Sequence, residues 1–451
     1  MEQTILNKQI FSGGTRYEFK VRGPLFCPYH NLWGQNVYTL NTPFRHNPFI
    51  IPASSTSGSP VLLDADGKFF GFMNDMFVDG AEFAFDGADT LTVSVPEGQQ
   101  LWVDESGFSN VRKNEGVEDQ PPSNAWKKYN RAVLSSLPPA SQIRDFWCDI
   151  EYCTWVEQKA LALETGSSHF DVMTHEFIAL YIQQINDLGL PKGKLTLDHG
   201  WQNGDETYGD WNVHTGRFPD LQRTVDLISE NGFTPGLWMA PIWLHPQSKA
   251  VAAHPEWLGP KIHPATPDAP HVGDWNYFNP MPEVQDHLQE IFARYHAMGF
   301  MKFKFDMTYA NKQVMKKLHQ LIYRAVKNVS EEIEVEIHQP DIFFTTCCDA
   351  VRTNDILCND QYPWWPELTK AHMEVCEKSA AGRVINLDHI GGNDPQISAE
   401  TYLAHLNLYR DAIGHPVVSM LPGRLGQTAV DGLLDYLNRY DPAHSAVSLY
   451  C

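Results

Sequence analysis

From about residue 145 onward the chain repeats one unit: a short strand-like run, a loop, then an amphipathic helical face. The strand-like runs are Phe146–Tyr152, Lys194–Leu197, Thr234–Met239, Phe300–Tyr309, Glu334–Ile337, Ala350–Thr353, Val384–Leu387 and Pro416–Met420. Between them lie helical periods. In His175–Leu188, Phe177, Ile178, Tyr181, Ile182 and Ile185 share one face and Gly189 follows. Leu221–Ser229 and Val314–Val326 repeat the pattern, and Pro282 opens another helix with Val284, Leu288, Ile291, Phe292 and Tyr295 on one side. Eight strands alternating with helices over about 300 residues predict a (β/α)8 barrel. A doubly wound sheet is the competing architecture, but no Gly-rich fingerprint opens a helix.

Residues 1–135 read differently. Thr15–Val21, Pro60–Leu63, Phe69–Phe72 and Thr90–Val95 alternate in the β manner, with turn signals such as Asp64-Ala65-Asp66-Gly67 between them. No helical period stands out, so an all-β, sandwich-like domain is expected there, with the barrel occupying 136–451. The Pro-rich patches around Pro121-Pro122 and Pro138-Pro139 read as the linker.

Composition narrows the function classes. A 43% hydrophobic content supports a packed core, and a net charge of −21 with no basic stripe argues against nucleic acid and anionic membranes. No run approaches 18 apolar residues, so no membrane span is expected. The opening MEQTILNKQIFSGG has no charged-then-apolar signal pattern, and the eight Cys lack a repeated CxxC spacing. Free thiols in the cytoplasm are the expectation.

In a parallel barrel, the carboxyl ends of the strands build the active site. Six of the predicted strands end in a chemically loaded residue: Asp198-His199 with Trp201, then Trp238, Asp306, His338, Arg352 to Asp355, and Asp388-His389. Within Phe300–Tyr309, Phe303 and Phe305 point one way and Lys302, Lys304 and Asp306 the other. Lys304 is therefore expected beside Asp306, keeping it ionised. Two carboxylates on different strands suit retaining glycosyl transfer, in which one attacks the anomeric carbon and the other protonates the leaving oxygen. Asp306 suits the nucleophile and Asp355 the acid/base, with Asp360 in reserve. Taken singly, such residues also have bland readings: His338 as a satisfied strand-end histidine, Asp388 and His389 as turn formers, and Trp155, Trp211, Trp275, Trp364 and Trp365 as core or loop aromatics.

The ordered motifs carry a resemblance. Leu197-Asp198-His199-Gly200-Trp201-Gln202, Gly209-Asp210-Trp211 and Arg217-Phe218-Pro219 resemble the DDGW…GDW…FP run of glycoside hydrolase family 36. Gly236-Leu237-Trp238 with His254-Pro255-Glu256-Trp257 is similar to its GLW…HPDW segment, and Asn279-Pro280 with Pro282-Glu283-Val284 to its NPEV run. Lys304-Phe305-Asp306-Met307 resembles the nucleophile motif, and Arg352-Thr353-Asn354-Asp355 the acid/base segment. The family includes α-galactosidases and is similar to families 27 and 31.

The resemblance implies a retaining α-glycosidase, α-galactosidase-like, acting on a small carbohydrate with no metal or organic cofactor. It implies Asp306 as nucleophile and Asp355 as acid/base. It also implies sugar contacts from Asp198, Lys304 and Trp238 or Trp201; His199, His338 and Arg352 complete the expected binding set. A transglycosylase is the neighbouring reading, a Schiff-base enzyme using Lys304 a different class, and a carbohydrate-binding protein without catalysis a third. His199 departs from the family's second acidic residue, and His338-Gln339-Pro340 from its Cys/Gly-rich segment. Exchanging a carboxylate for an imidazole removes an accepting site, so simple α-galactosides are expected to be poor substrates.

Overall fold

The computed structural model describes residues 5–23, 25, 60–64, 66–74, 81–104, 121–138, 141–204, 207–261, 276–307, 312–338, 342–353, 358–361, 363 and 365–447. Its N-terminal part forms two antiparallel sheets. One holds β1 (Ile5–Phe11), β2 (Gly14–Lys20), β5 (Glu82–Phe85) and β6 (Thr90–Pro96) in the order β1-β2-β6-β5. The other holds β3 (Val61–Leu63), β4 (Phe69–Phe72) and β7 (Leu101–Asp104) in the order β3-β4-β7. Alternation sends Phe19, Phe83, Leu91 and Val93 of the first sheet against Leu62, Phe70 and Phe72 of the second. Ring contacts of 5.1 Å (Phe19–Phe70) and 4.6 Å (Phe72–Phe83) cross that layer, as in a sandwich.

The expected linker is instead the start of a helix, α1 (Pro121–Leu134). Proline fits the first turn of a helix, where its missing N–H is not needed, so the pair opens an element and does not interrupt one. Trp126, Tyr129 and Val133 of α1 are buried with Val61, Leu63 and Phe69 on one side and Phe343 and Val375 on the other. The helix is thus the apolar wedge between sandwich and barrel.

The barrel strands are β8 (Glu151–Cys153), β9 (Lys194–Leu197), β10 (Thr234–Met239), β14 (Lys302–Phe305), β15 (Glu334–Ile337), β16 (Ala350–Arg352), β17 (Val384–His389) and β18 (His415–Val418). They pair in parallel and close as β10-β14-β15-β16-β17-β18-β8-β9. The surrounding helices are α2 (Trp155–Thr165), α3 (His175–Asp187), α4 (Leu221–Glu230), α6 (Pro282–Met298), α7 (Lys312–Val329), α8 (Trp365–Ser379), α9 (Ala399–Tyr409) and α10 (Gln427–Arg439). Thr174 and Asp220 cap the first turns of α3 and α4, and Gly299 ends α6 at φ 113°, a conformation that glycine adopts without a Cβ clash. An excursion after β10 adds the short α5 (Lys249–Ala253) and a small antiparallel sheet of β11 (Trp243–Leu244), β12 (Leu258–Lys261) and β13 (Asn276–Phe278).

The first barrel strand begins later than its apolar run. Asp145–Cys148 is a 3-10 turn, because Trp147 there packs beneath the barrel with its ring N–H on the Glu332 carbonyl. The strands KLTL, KFKF and EVEI alternate in the opposite sense to a simple apolar barrel interior. Leu195, Phe303, Phe305 and Val335 face the helices, with Phe292 of α6 5.0 Å from Phe303. Their polar partners face inward, which places charge along the barrel axis.

Candidate active site

The interior charges form two layers. In the lower one Lys194 bonds both oxygens of Glu334 (3.1 and 3.0 Å), while Lys302 bridges Glu151 and Glu336. Asn386 donates to Glu151 (3.0 Å) and Glu336 (2.7 Å), and the Thr196 hydroxyl to Glu151 (2.6 Å). Gly236 faces this crowd; a Cβ there would lie 2.5 Å from the Thr196 Oγ1. Burial favours the neutral acids, but Lys302 and Lys194 outweigh it at Glu151 and keep that carboxyl well below its ordinary range. Glu334 is pushed up to about 7, burial exceeding the pull of Lys194 and Lys302. Glu151, Glu336 and His415 bring three donor atoms within 4.8 Å of one another. The Lys302 ammonium already bonds two of these three residues, so the layer supplies its own cation.

The upper layer is the barrel mouth. Asp306 follows β14, and its Oδ1 accepts from Arg352 Nη2 (2.9 Å) and from the Met307 backbone N–H (2.8 Å). Its Oδ2 accepts from Trp238 Nε1 (2.9 Å), and His338 Nδ1 lies 3.6 Å from Oδ1. Burial works to raise this carboxyl's pKa. Arg352, His338 and Lys304, with the Trp238 bond, more than cancel that and hold it well below the carboxylate range. The side chain is 24% exposed, whereas Arg352 and His338 are each 2% exposed. Met307 and Asp388 sit at φ 51° and 60°, left-handed conformations that cost non-glycine residues energy and gather at functional sites.

Lys304 does not pair with Asp306 as expected. Its ammonium turns to Asp198 Oδ2 (2.7 Å), which also accepts from the Cys153 thiol (3.1 Å), while the His199 N–H takes Asp198 Oδ1 (2.8 Å). Burial lowers the pKa of Lys304, but Asp198 reverses this and raises it well above the ordinary value. A firmly protonated amine is a poor imine former, so the Schiff-base reading is not favoured.

The remaining expected residues take distinct places. Trp238 is edge-on to Asp306, and one face is covered by the His199 ring at 4.2 Å and 15°. His199 is buried there, its Nε2 hydrogen-bonded to the Tyr208 hydroxyl (3.0 Å), with Phe170 packed at 4.4 Å. Trp201 is fully buried and donates to the Trp238 carbonyl (2.8 Å), so it braces Trp238 from behind. Arg352 also reaches Asp388 (3.4 Å) and Glu336 (3.6 Å), which brings Asp388 into the cluster. His389 is kept neutral by burial and by the Lys304 and Arg352 charges.

Asp355 lies outside the described residues, as do Trp275 and Trp364. The reserve carboxylate Asp360 is exposed and accepts from Ser398 N and Oγ (both 2.9 Å) just before α9, so it acts as a capping partner there. Cys153, Tyr208 and Glu336 were missed from sequence. The inward position in the EVEI strand was the available signal for Glu336, whereas nothing in the EYC run marks the Cys153 thiol as a partner of Asp198.

Fold and cluster together define a (β/α)8 protein whose mouth, among the described residues, holds an ionised, partly accessible carboxylate. Residues 158–348 match the melibiase family model. With this match, the family 36 resemblance read from the motifs is borne out. Asp198, His199, Trp201, Trp238, Lys304, Asp306 and His338 lie inside that segment; Arg352 and Asp355 follow it. An α-galactosidase of Lactobacillus acidophilus is 28% identical over 97 residues, 20% of this chain and 13% of that protein.

Among solved structures, an α-galactosidase of Thermus thermophilus in complex with p-nitrophenyl α-D-galactopyranoside shares the fold at TM-score 0.62 and 16% identity, covering 97% of this chain and 93% of the other. A family 36 α-galactosidase of Geobacillus stearothermophilus gives 0.60 and 14%, covering 96% and 63%. A family 31 dextranase of Flavobacterium johnsoniae gives 0.62 and 12%, covering 97% and 55%. An α-galactosidase of Lactobacillus brevis, at 0.60 and 14%, is spanned over 60% of its length, with 95% of this chain covered. Several relatives are thus considerably longer than this chain.

Proposed function

We propose that this chain is a retaining α-glycosidase of the α-galactosidase type, acting on a small carbohydrate by double displacement. The observation that carries the reading is Asp306, an ionised carboxylate at the end of β14 with Trp238 and Arg352 fixing its orientation. In this mechanism Asp306 attacks the anomeric carbon and expels the aglycone, whose oxygen takes a proton from Asp355. Asp355 then draws a proton from water, which attacks the same carbon and frees Asp306. Asp198, held by Lys304, is assigned to the sugar hydroxyls. The α-galactoside bound by the Thermus thermophilus relative supports the substrate class.

We divide the chain into an N-terminal β domain, 1–135, and a catalytic barrel, 136–451. No helix among the described residues is long and apolar enough to cross a membrane. The six buried free thiols among the described residues favour a reducing, cytoplasmic setting.

A panel of aryl α-glycosides, followed by mass spectrometry of a trapped intermediate, tests the reading. A glycosyl ester on Asp306 is expected. An imine on Lys304, or turnover with inverted configuration, would overturn it. Asp355→Asn is expected to harm substrates with poor leaving groups far more than those with acidic phenols.

A further inference from the structure

The mouth cluster distributes its hydrogen bonds unevenly over Asp306. A carboxylate oxygen offers two lone-pair sites. At Oδ1 both are taken, by Arg352 Nη2 and the Met307 N–H. At Oδ2, among the described residues, one is taken, by Trp238 Nε1. Resting on the glycosidase reading above, we infer that Asp306 attacks through Oδ2, and that Arg352 is a positioning residue which anchors Oδ1 and does not bind the sugar.

In the step this implies, the free Oδ2 lone pair forms the bond to the anomeric carbon. The electrons of the breaking C–O bond pass to the leaving oxygen, which is protonated by the general acid. Arg352 is suited to anchoring. It is 2% exposed, and its guanidinium reaches Asp388 (3.4 Å) and Glu336 (3.6 Å) as well as Asp306. A planar fork held at three points cannot swing toward a ligand without abandoning buried acids. Those acids also offset its charge, so Oδ2 is oriented without being quenched. Among the described residues, the charged and titratable groups facing Asp306 from the packed elements are Lys304 on its own strand, His338 after β15 and Arg352 on β16. Glu336, Asp388 and His389 lie in the next rank.

The test uses the whole chain with an aryl α-glycoside bearing an acidic phenol, so that attack by Asp306 is isolated from proton donation. Wild type, Arg352→Met and Arg352→Lys are compared for kcat/KM across pH, for competitive inhibition by the product monosaccharide, and for the rate of covalent labelling of Asp306. Arg352→Met is expected to lose about 100-fold in kcat/KM, as misaimed nucleophiles do. Its acidic limb should move up by about one pH unit, as Asp306 loses its main cation. Inhibition by the monosaccharide should be nearly unchanged.

Arg352→Lys keeps the charge but not the fork. It should therefore lose rate with the acidic limb in place, and it serves as the readout should the Met variant fail to fold. Monosaccharide binding that weakens as much as kcat/KM, with an unmoved limb, would overturn the inference by making Arg352 a sugar ligand. So would wild-type labelling rates in either variant. Absence of labelling in the wild type would instead overturn the glycosidase reading, and this inference with it.

Discussion

The two layers inside the barrel are made from the same chemistry and end in opposite roles. In the lower layer Lys194, Lys302, Glu151, Glu334 and Glu336 are all within 1% of complete burial, and each ammonium is answered by carboxylates. In the upper layer Asp198, Lys304, Arg352 and Asp388 are nearly as buried, yet Asp306 beside them is 24% exposed. A closed ionic lattice has no site for a substrate; it can only hold strands in register. At the mouth, by contrast, Asp306 keeps access to solvent, which the proposed function requires of its nucleophile. Buried ion pairs therefore do not mark function by themselves.

The contrast can be broken at either layer. Asp306→Asn keeps shape and removes the proposed nucleophile, so on that proposal activity should fall by about 10⁴-fold or more with the melting temperature nearly unchanged. A purified variant with wild-type turnover would erase the distinction. Lys302→Met in the lower layer should do the reverse. It leaves Glu151 and Glu336 without their shared ammonium, at about 3–5 kcal/mol of stability by urea denaturation, while turnover per folded molecule changes little. A variant that is stable but inactive would show that the lower layer takes part in chemistry.

Glu334 sharpens the comparison through pH. Its carboxyl is raised from 4.5 to about 7, so the folded state resists its ionisation. A raised acid contributes stability that is full below about pH 4.5 and is lost as pH climbs towards 7. Glu334→Gln should flatten that slope, a difference of about 3 kcal/mol across the window at 1.36 kcal/mol per pKa unit. Identical slopes in denaturation series from pH 4.5 to 7.5 would refute the assignment.

His199 should give the smallest effect. Its ring lies flat on Trp238 and bonds Tyr208, so His199→Phe should keep most activity on aryl α-galactoside through the retained stack. His199→Asp should lose the stack and reduce activity a few-fold. A gain in that variant would mean the imidazole restricts the sugar and does not merely support Trp238.

Much of the architecture was legible because it depends on local period. Lys194–Leu197, Thr234–Met239 and Glu334–Ile337 coincide with the strands read from sequence, since alternation of large apolar and polar residues specifies which face meets the helices. Misreadings fell where tertiary contact overrides local pattern. Pro121-Pro122 starts a helix that becomes stable by burying Trp126 and Tyr129 between two domains. Phe146-Trp147 leaves the barrel strand because Trp147 is more fully buried beneath it.

Local sequence suffices to put Lys304 and Asp306 on the inward face of one strand, because side-chain direction in a strand follows a period of two. It also placed Asp198, Trp238, His338 and Arg352 at strand ends. Only the tertiary structure decided who bonds whom. Lys304 chose Asp198, two strands away on one side, and Arg352, two strands away on the other, took the place Lys304 was expected to fill. The reason is geometric: closing eight strands brings residues more than 100 positions apart within 3 Å, as with Lys304 and Asp198 at 106 positions and 2.7 Å. Ion-pair choice there follows the reach of each side chain, which strand spacing and stagger set and local sequence does not encode.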